Sequence, residues 1–172
     1  MKKYIIMVLM SLAVLSSISC AGSKNETPKA GAGSVAWLDW DQAMTAAQTE
    51  GKFIVVDVYT DWCHWCKVMD DKTYADPAVA GLMKENFVAV KLNAERANTV
   101  NFKGKAYTEM DLARSFNVNG FPTTMFLASD GTLIGKIPGY IEAPVFKQIL
   151  EYLTSGSYKD MSLDQYLSGK KK

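Results

Sequence analysis

The chain has 172 residues, with 19 Lys and Arg against 18 Asp and Glu, for a formal net charge of +1. That balance removes the basic footprint of a protein that grips nucleic acid through its phosphates, so no nucleic-acid partner is expected. Once a separate N-terminal segment is set aside, about 150 residues remain, a length that suits one domain with a single core.

Lys2 and Lys3 precede apolar residues 4–10 and 12–15, the positive n-region and apolar h-region of a secretory signal. The run is short for a transmembrane span. It ends at Ser17-Ile18-Ser19-Cys20, which resembles the bacterial lipoprotein box, with Ser17 where that pattern prefers Leu. The resemblance implies a signal peptide at 1–19, lipidation at Cys20 and a place on the periplasmic face of a bacterial membrane. Residues 20–36, rich in Gly, Ala, Ser and Lys, then read as a lipid-anchored flexible linker. The folded domain is expected at 37–155, with a polar extension at 156–172.

Asp39 or Asp41 can cap a first helix through Ala43 and Ala47, which Gly51 would end. Residues 53–59 are a near-continuous, β-branched apolar run expected to be a strand covered on both faces, with the ionisable Asp57 inside it. Residues 61–71 read as a turn entering a helix, and Asp76-Pro77 opens another that ends near Asn86. A second apolar strand follows at 87–92. Residues 93–107 show no convincing periodicity and read as an inserted loop. Thr108, with Asp111 three places on, can cap a helix, which Asn119-Gly120 breaks. Strands at 123–128 and 132–137 flank an Asp130-Gly131 turn that favours an antiparallel hairpin. A closing helix starts near Pro144, with Val145, Phe146, Ile149, Leu150 and Leu153 at helical spacing. Crossovers early and a hairpin late imply an α/β fold with a mixed central sheet between helices.

If Cys20 is taken by lipid, the mature domain keeps only Cys63 and Cys66. A bond across two residues closes too small a ring to restrain much unfolded-chain entropy, so redox chemistry explains the pair better than stability does. At a helix start, exposed amides and the helix dipole stabilise a thiolate, which makes Cys63 the expected nucleophile. Cys66, one turn on, can then displace a partner bound to Cys63.

Val56-Asp57, Asp61-Trp62-Cys63-His64-Trp65-Cys66-Lys67 and Gly120-Phe121-Pro122-Thr123 together resemble the thioredoxin signature in order, over roughly residues 37–152. The resemblance implies a thioredoxin-like three-layer α/β/α sandwich with a mixed central sheet. It implies that Asp57, six residues before Cys63, is the buried proton acceptor for the resolving thiol. It implies a cis-proline at Pro122 facing the disulfide, with Phe121 pairing with substrate and Gly139 lining the groove. Phe121 departs from the commoner Thr, Ile or Val, Pro138 beside Gly139 is unusual, and His64-Trp65 replaces the usual Gly-Pro pair. Residues 67–77 resemble a subgroup that includes the extracytoplasmic domain of the bacterial transmembrane disulfide reductase.

Three ligands from Cys63, His64 and Cys66 fall short of the four that zinc usually takes, and the sequence has no other histidine, so no metal and no organic cofactor are expected. Trp62 reads as a wall of the site, and His64 and Trp65 as its exposed dipeptide. The expected function is reduction of protein disulfides, with protein disulfides or dithiols as partners and an electron donor upstream in the membrane. Isomerase or oxidase activity, or a thioredoxin-like binding and chaperone module without turnover, are the alternatives.

Overall fold

The computed structural model describes residues 34–169, so the expected signal peptide, most of the linker and Cys20 lie outside the described residues. In chain order these residues form β1 (Trp37–Leu38), α1 (Trp40–Glu50), β2 (Phe53–Tyr59), α2 (His64–Met69), α3 (Pro77–Asn86) and β3 (Phe87–Asn93). Then come β4 (Thr99–Phe102), β5 (Lys105–Thr108), α4 (Glu109–Ser115), β6 (Thr123–Leu127), β7 (Leu133–Pro138), α5 (Ala143–Thr154) and α6 (Leu163–Gly169).

Local chemistry sets these limits. Gly51 ends α1 in the left-handed region, at φ 67°, and its N–H donates to the Ala47 carbonyl. The Asp76 carboxylate accepts from the Ala78 and Val79 amides, with Pro77 in the first turn of α3. The Thr108 hydroxyl accepts from the Asp111 amide and donates to the Asp111 carboxylate. α2 runs on into a π-helical turn at Asp70–Tyr74, where one extra residue per turn redirects the chain before Asp76.

The central sheet has the order β1-β3-β2-β6-β7. β1 and β2 lie parallel to β3, and β6 lies antiparallel to both β2 and β7. Alternation along the strands divides the core. Ile54, Val56 and Val58 pack with α1 and α4 through Trp40, Ala43, Ala47 and Leu112. Val55, Ala89 and Phe126 point the other way, against Met69, Val79, Met83, Phe146 and Ile149 of α2, α3 and α5. This is the three-layer sandwich with a mixed sheet that the element order implies.

The structure departs from the sequence reading at three places. Residues 93–107 are not an irregular loop, because β4 and β5 pair as an antiparallel hairpin from Thr99↔Thr108 to Phe102↔Lys105. Each strand has only four residues, too few for alternation to show. β1 was not anticipated; its two residues carry no period at all. Past Gly156, the chain forms a 3-10 turn and α6, which lay Tyr158, Leu163 and Tyr166 on the core.

Gly131, in the β6–β7 turn at φ 77°, is where the inserted hairpin meets the body of the fold. A Cβ there would lie 2.8 Å from the Phe102 ring and 2.9 Å from the end of Met44. Gly104, at φ 76° in the β4–β5 turn, has open space instead. Both substitutions to Ala carry a backbone penalty of about 1 kcal/mol, and Gly131→Ala should lose roughly a further 1 kcal/mol to the clash. Urea midpoints check this; equal losses would mean that the Phe102 contact yields without resistance.

Candidate active site

Cys63 and Cys66 form a disulfide at the start of α2, with Cα atoms 5.3 Å apart. Cys63 is the N-cap residue, and its Sγ accepts from the Cys66 amide at 3.1 Å. The amide therefore points at the sulfur that would carry charge as a thiolate. Cys63 is 4% exposed and Cys66 2%, so exposure hardly distinguishes the two sulfurs and helix position is what separates them.

On the sheet face that packs against α2, β2, β3 and β6 share one register position: Asp57↔Lys91 and Asp57↔Thr124. The result is a polar row, Lys91-Asp57-Thr124, on an otherwise apolar face. Asp57 is fully buried and its Oδ2 accepts from Lys91 Nζ at 2.6 Å. Lys91 also donates to the Asp70 carboxylate. Its ammonium lies over three rings, at 4.8 Å from Trp37, 5.1 Å from Tyr59 and 5.5 Å from Tyr74. Burial pushes the Asp57 carboxyl above its ordinary range; Lys91 opposes that shift and Asp70 adds to it. Burial pulls Lys91 down, but Asp57 and Asp70 together outweigh it and hold Lys91 above the ordinary lysine value.

The rim is a closed circuit of contacts. The Phe121–Pro122 peptide bond is cis, and the Pro122 carbonyl accepts from the Gly139 amide at 2.8 Å. Gly139 sits at φ 89°, a conformation that side-chain-bearing residues rarely adopt. Trp62 meets the Phe121 ring edge-on at 6.1 Å, and Trp65 lies 5.5 Å from Tyr140. His64 meets Trp65 edge-on at 5.7 Å. Trp62 is 68% exposed and Trp65 54%, so neither is core packing. Both oxygens of Glu95 accept from the Trp62 indole at 3.0 Å. Asn93 steadies that arm: its side chain donates to Asp61 and its carbonyl oxygen Oδ1 accepts from the Glu95 amide.

The structure thus brings Cys63, Cys66, Trp62, His64, Trp65, Phe121, Pro122 and Gly139 into one patch, with Asp57 in the sheet layer below. Sequence reading missed Lys91, Asp70, Tyr74, Glu95 and Tyr140. Lys91 carried a usable signal, because it interrupts the apolar run 87–92 as Asp57 interrupts 53–59. The others sit in polar or turn-rich segments where no local pattern marks them. Among the described residues, no cluster of three or more His, Cys, Asp or Glu side chains is placed to hold a metal ion.

Residues 40–154 match the family described as thioredoxin-like domain. The chain is 29% identical over 119 residues to the thiol:disulfide interchange protein DsbD of Photorhabdus laumondii, a match covering 68% of this chain and 19% of that protein. It is 33% identical over 111 residues to DsbD of Cronobacter sakazakii, covering 63% and 17%. The chain therefore aligns with less than a fifth of the length of these curated relatives. A solution structure of a thioredoxin from Thermus thermophilus matches with a TM-score of 0.58 at 24% identity, over 70% of this chain and 88% of that one. The family match runs from the first residue of α1 to the last of α5 and takes in the whole redox patch, and the chain belongs to the thioredoxin-like domain family.

Proposed function

We propose that this protein is an extracytoplasmic thiol:disulfide oxidoreductase that reduces disulfides in other proteins through Cys63 and Cys66. The observation that carries the reading is the disulfide at the α2 N-cap, with a backbone amide on Cys63 Sγ and a buried carboxylate in the layer below. The likeness to interchange proteins named DsbD supports the same chemistry.

In the reduced protein, the Cys63 thiolate attacks a partner disulfide, forming one mixed S–S bond and releasing one partner sulfur as a thiolate that takes up a proton. The Cys66 thiol then passes its proton to Asp57, and its sulfur attacks Cys63 Sγ. The Cys63–Cys66 bond forms, the mixed bond breaks, and the second partner sulfur leaves as a thiolate. The partner gains two electrons and the protein ends as the disulfide. An upstream dithiol donor at the membrane restores the reduced state. The rim formed by Trp62, Trp65, Phe121, Pro122 and Gly139 receives the partner, with His64 beside the attacking sulfur.

The anchored, periplasmic location rests on the N-terminal sequence, which supplies a signal at 1–19, lipidation at Cys20 and a tether to residue 36. The domain at 37–155 with a tail at 156–172 is the unit the tether would present. No helix among the described residues is long and apolar enough to cross a membrane.

Three outcomes follow. Cys66→Ser accumulates partner proteins as mixed disulfides on non-reducing gels and Cys63→Ser does not; equal accumulation by both would reverse the assignment of roles. Equilibration with glutathione, read by tryptophan fluorescence, gives a reduction potential below about −200 mV, on the thioredoxin side of the family range; a value near about −120 mV would make the protein an oxidant. Cys20→Ala abolishes lipid labelling and moves the protein to the soluble fraction, and retention on membranes without label would show that some other segment anchors it.

A further inference from the structure

Tyr74 is an odd choice for its place. It closes the π-helical turn at 3% exposure, and its ring meets Trp37 edge-on at 4.8 Å and Phe146 at 5.4 Å. Phenylalanine would make all of those contacts. A buried hydroxyl without a partner costs about 1–3 kcal/mol, so the oxygen needs a reason to be there.

The reason lies in what surrounds it. Among the described residues, the buried side-chain oxygens without a hydrogen-bond partner are Asp57 Oδ1, Thr60 Oγ1, Tyr74 Oη and Thr124 Oγ1. Three of these belong to neighbouring side chains: Thr124 is the register partner of Asp57, and Lys91, bonded to Asp57, also lies over the Tyr74 ring at 5.5 Å. Lys91 occupies Oδ2 of Asp57 and leaves Oδ1 open. Confined groups of this kind can satisfy only one another or one shared water; a carboxylate oxygen can only accept, so the phenol and the Thr124 hydroxyl are the donors open to Oδ1.

We propose that Tyr74 is a positioning residue for the redox step: its hydroxyl donates, directly or through one water, to Oδ1 of Asp57 and holds that carboxylate ready to take the Cys66 proton. The second half of this inference rests on the proton-acceptor role proposed above for Asp57. The groups facing Asp57 are Lys91 from β3, Thr124 from β6, and Asp70 and Tyr74 from the turn after α2. Asp70 raises the cost of ionising Asp57, and Lys91 and the phenol lower it. Tyr74 stays protonated throughout, because burial and then the Asp57 charge push its hydroxyl well above the ordinary tyrosine value. It is therefore a donor at every working pH.

Loss of that donor favours the protonated acid. In Tyr74→Phe, which keeps the ring contacts, the protonation midpoint of Asp57 should rise by about one pH unit, read from the carboxyl stretch in infrared titration of the full-length disulfide form. The pH profile for release of an aryl thiol from its mixed disulfide with Cys63 should shift upward by the same amount, with its alkaline plateau within about twofold of the parent. Thr124→Val should shift both in the same direction by less. An infrared midpoint that stays in place in Tyr74→Phe overturns the proposal, as does a lowered plateau without a shift, which would be a packing effect. Asp57→Asn separates the two readings. If it leaves the release profile unaltered while the Tyr74→Phe infrared midpoint moves, the contact stands, and the proton-acceptor role and the redox half of this inference both fall.

Discussion

One ion pair sets conditions for much of this fold. Asp57 and Lys91 sit side by side on the central parallel strands, on a face otherwise built from Val55, Ala89 and Phe126. Removing two charges from water costs several kcal/mol per ion, and mutual attraction returns this only with good geometry and further hydrogen bonds. The pair is thus a poor source of stability. It holds because neighbouring elements bend to serve it. The π-helical turn brings Asp70 to Lys91 and tucks Tyr74 beneath it, and the short β1 lays the Trp37 ring on the same ammonium. Thr73, in that turn, donates to the Ile141 carbonyl at 2.5 Å and ties it to the loop that carries Gly139 and Tyr140. The constraint on the buried pair therefore reaches the rim.

Rim geometry follows the same logic of rigid parts holding exposed ones. Trp62 and Trp65 project from the first residues around α2, and each leans on a ring from a different loop, Phe121 and Tyr140. Those loops are joined by the bond from Gly139 to Pro122. The segments flanking the inserted hairpin add a third support. Glu109, at the start of α4, accepts from the Asn93 amide and the Asn98 side chain, which fixes the path of residues 93–98. That path delivers Glu95 to the Trp62 indole. Large exposed aromatics lose little entropy on docking when already held, which suits them to grip a partner.

What the sequence disclosed depended on how local its cause was. The limits of β2, the caps at Asp76 and Thr108 and the stop at Gly51 follow from adjacent residues, and they stand as read. The grouping of Phe121, Pro122 and Gly139 with the cysteines came through family resemblance, since about 55 or more residues separate them and no spacing rule links such segments. The β4–β5 hairpin was hidden because four-residue strands leave almost no alternation to detect. Lys91 was legible in principle: a lysine inside an apolar strand asks for a carboxylate, and Asp57 is the only one in the neighbouring apolar run. Tyr74 and Thr124 were not legible, because an aromatic or a threonine beside a core is ordinary until its oxygen is found without a partner.

Asp70 explains how this arrangement could survive a working cycle. A proton acceptor must alternate between charged and neutral forms, and a half-buried lysine deprived of its counter-ion is costly. Were Asp57 the sole partner of Lys91, the proposed proton transfer from Cys66 would leave that half-buried ammonium without a counter-ion. Lys91 instead bridges two carboxylates of unlike setting: Asp57 is fully buried, while the Asp70 side chain is 43% exposed. When Asp57 turns neutral, the Asp70 carboxylate still faces the lysine from a partly exposed position, so Lys91 keeps a partner. The same exposure screens the repulsion that Asp70 imposes on Asp57, so a second carboxylate beside the first is tolerable. In the proposed cycle, Asp57 can therefore change its charge without stripping Lys91 of every carboxylate.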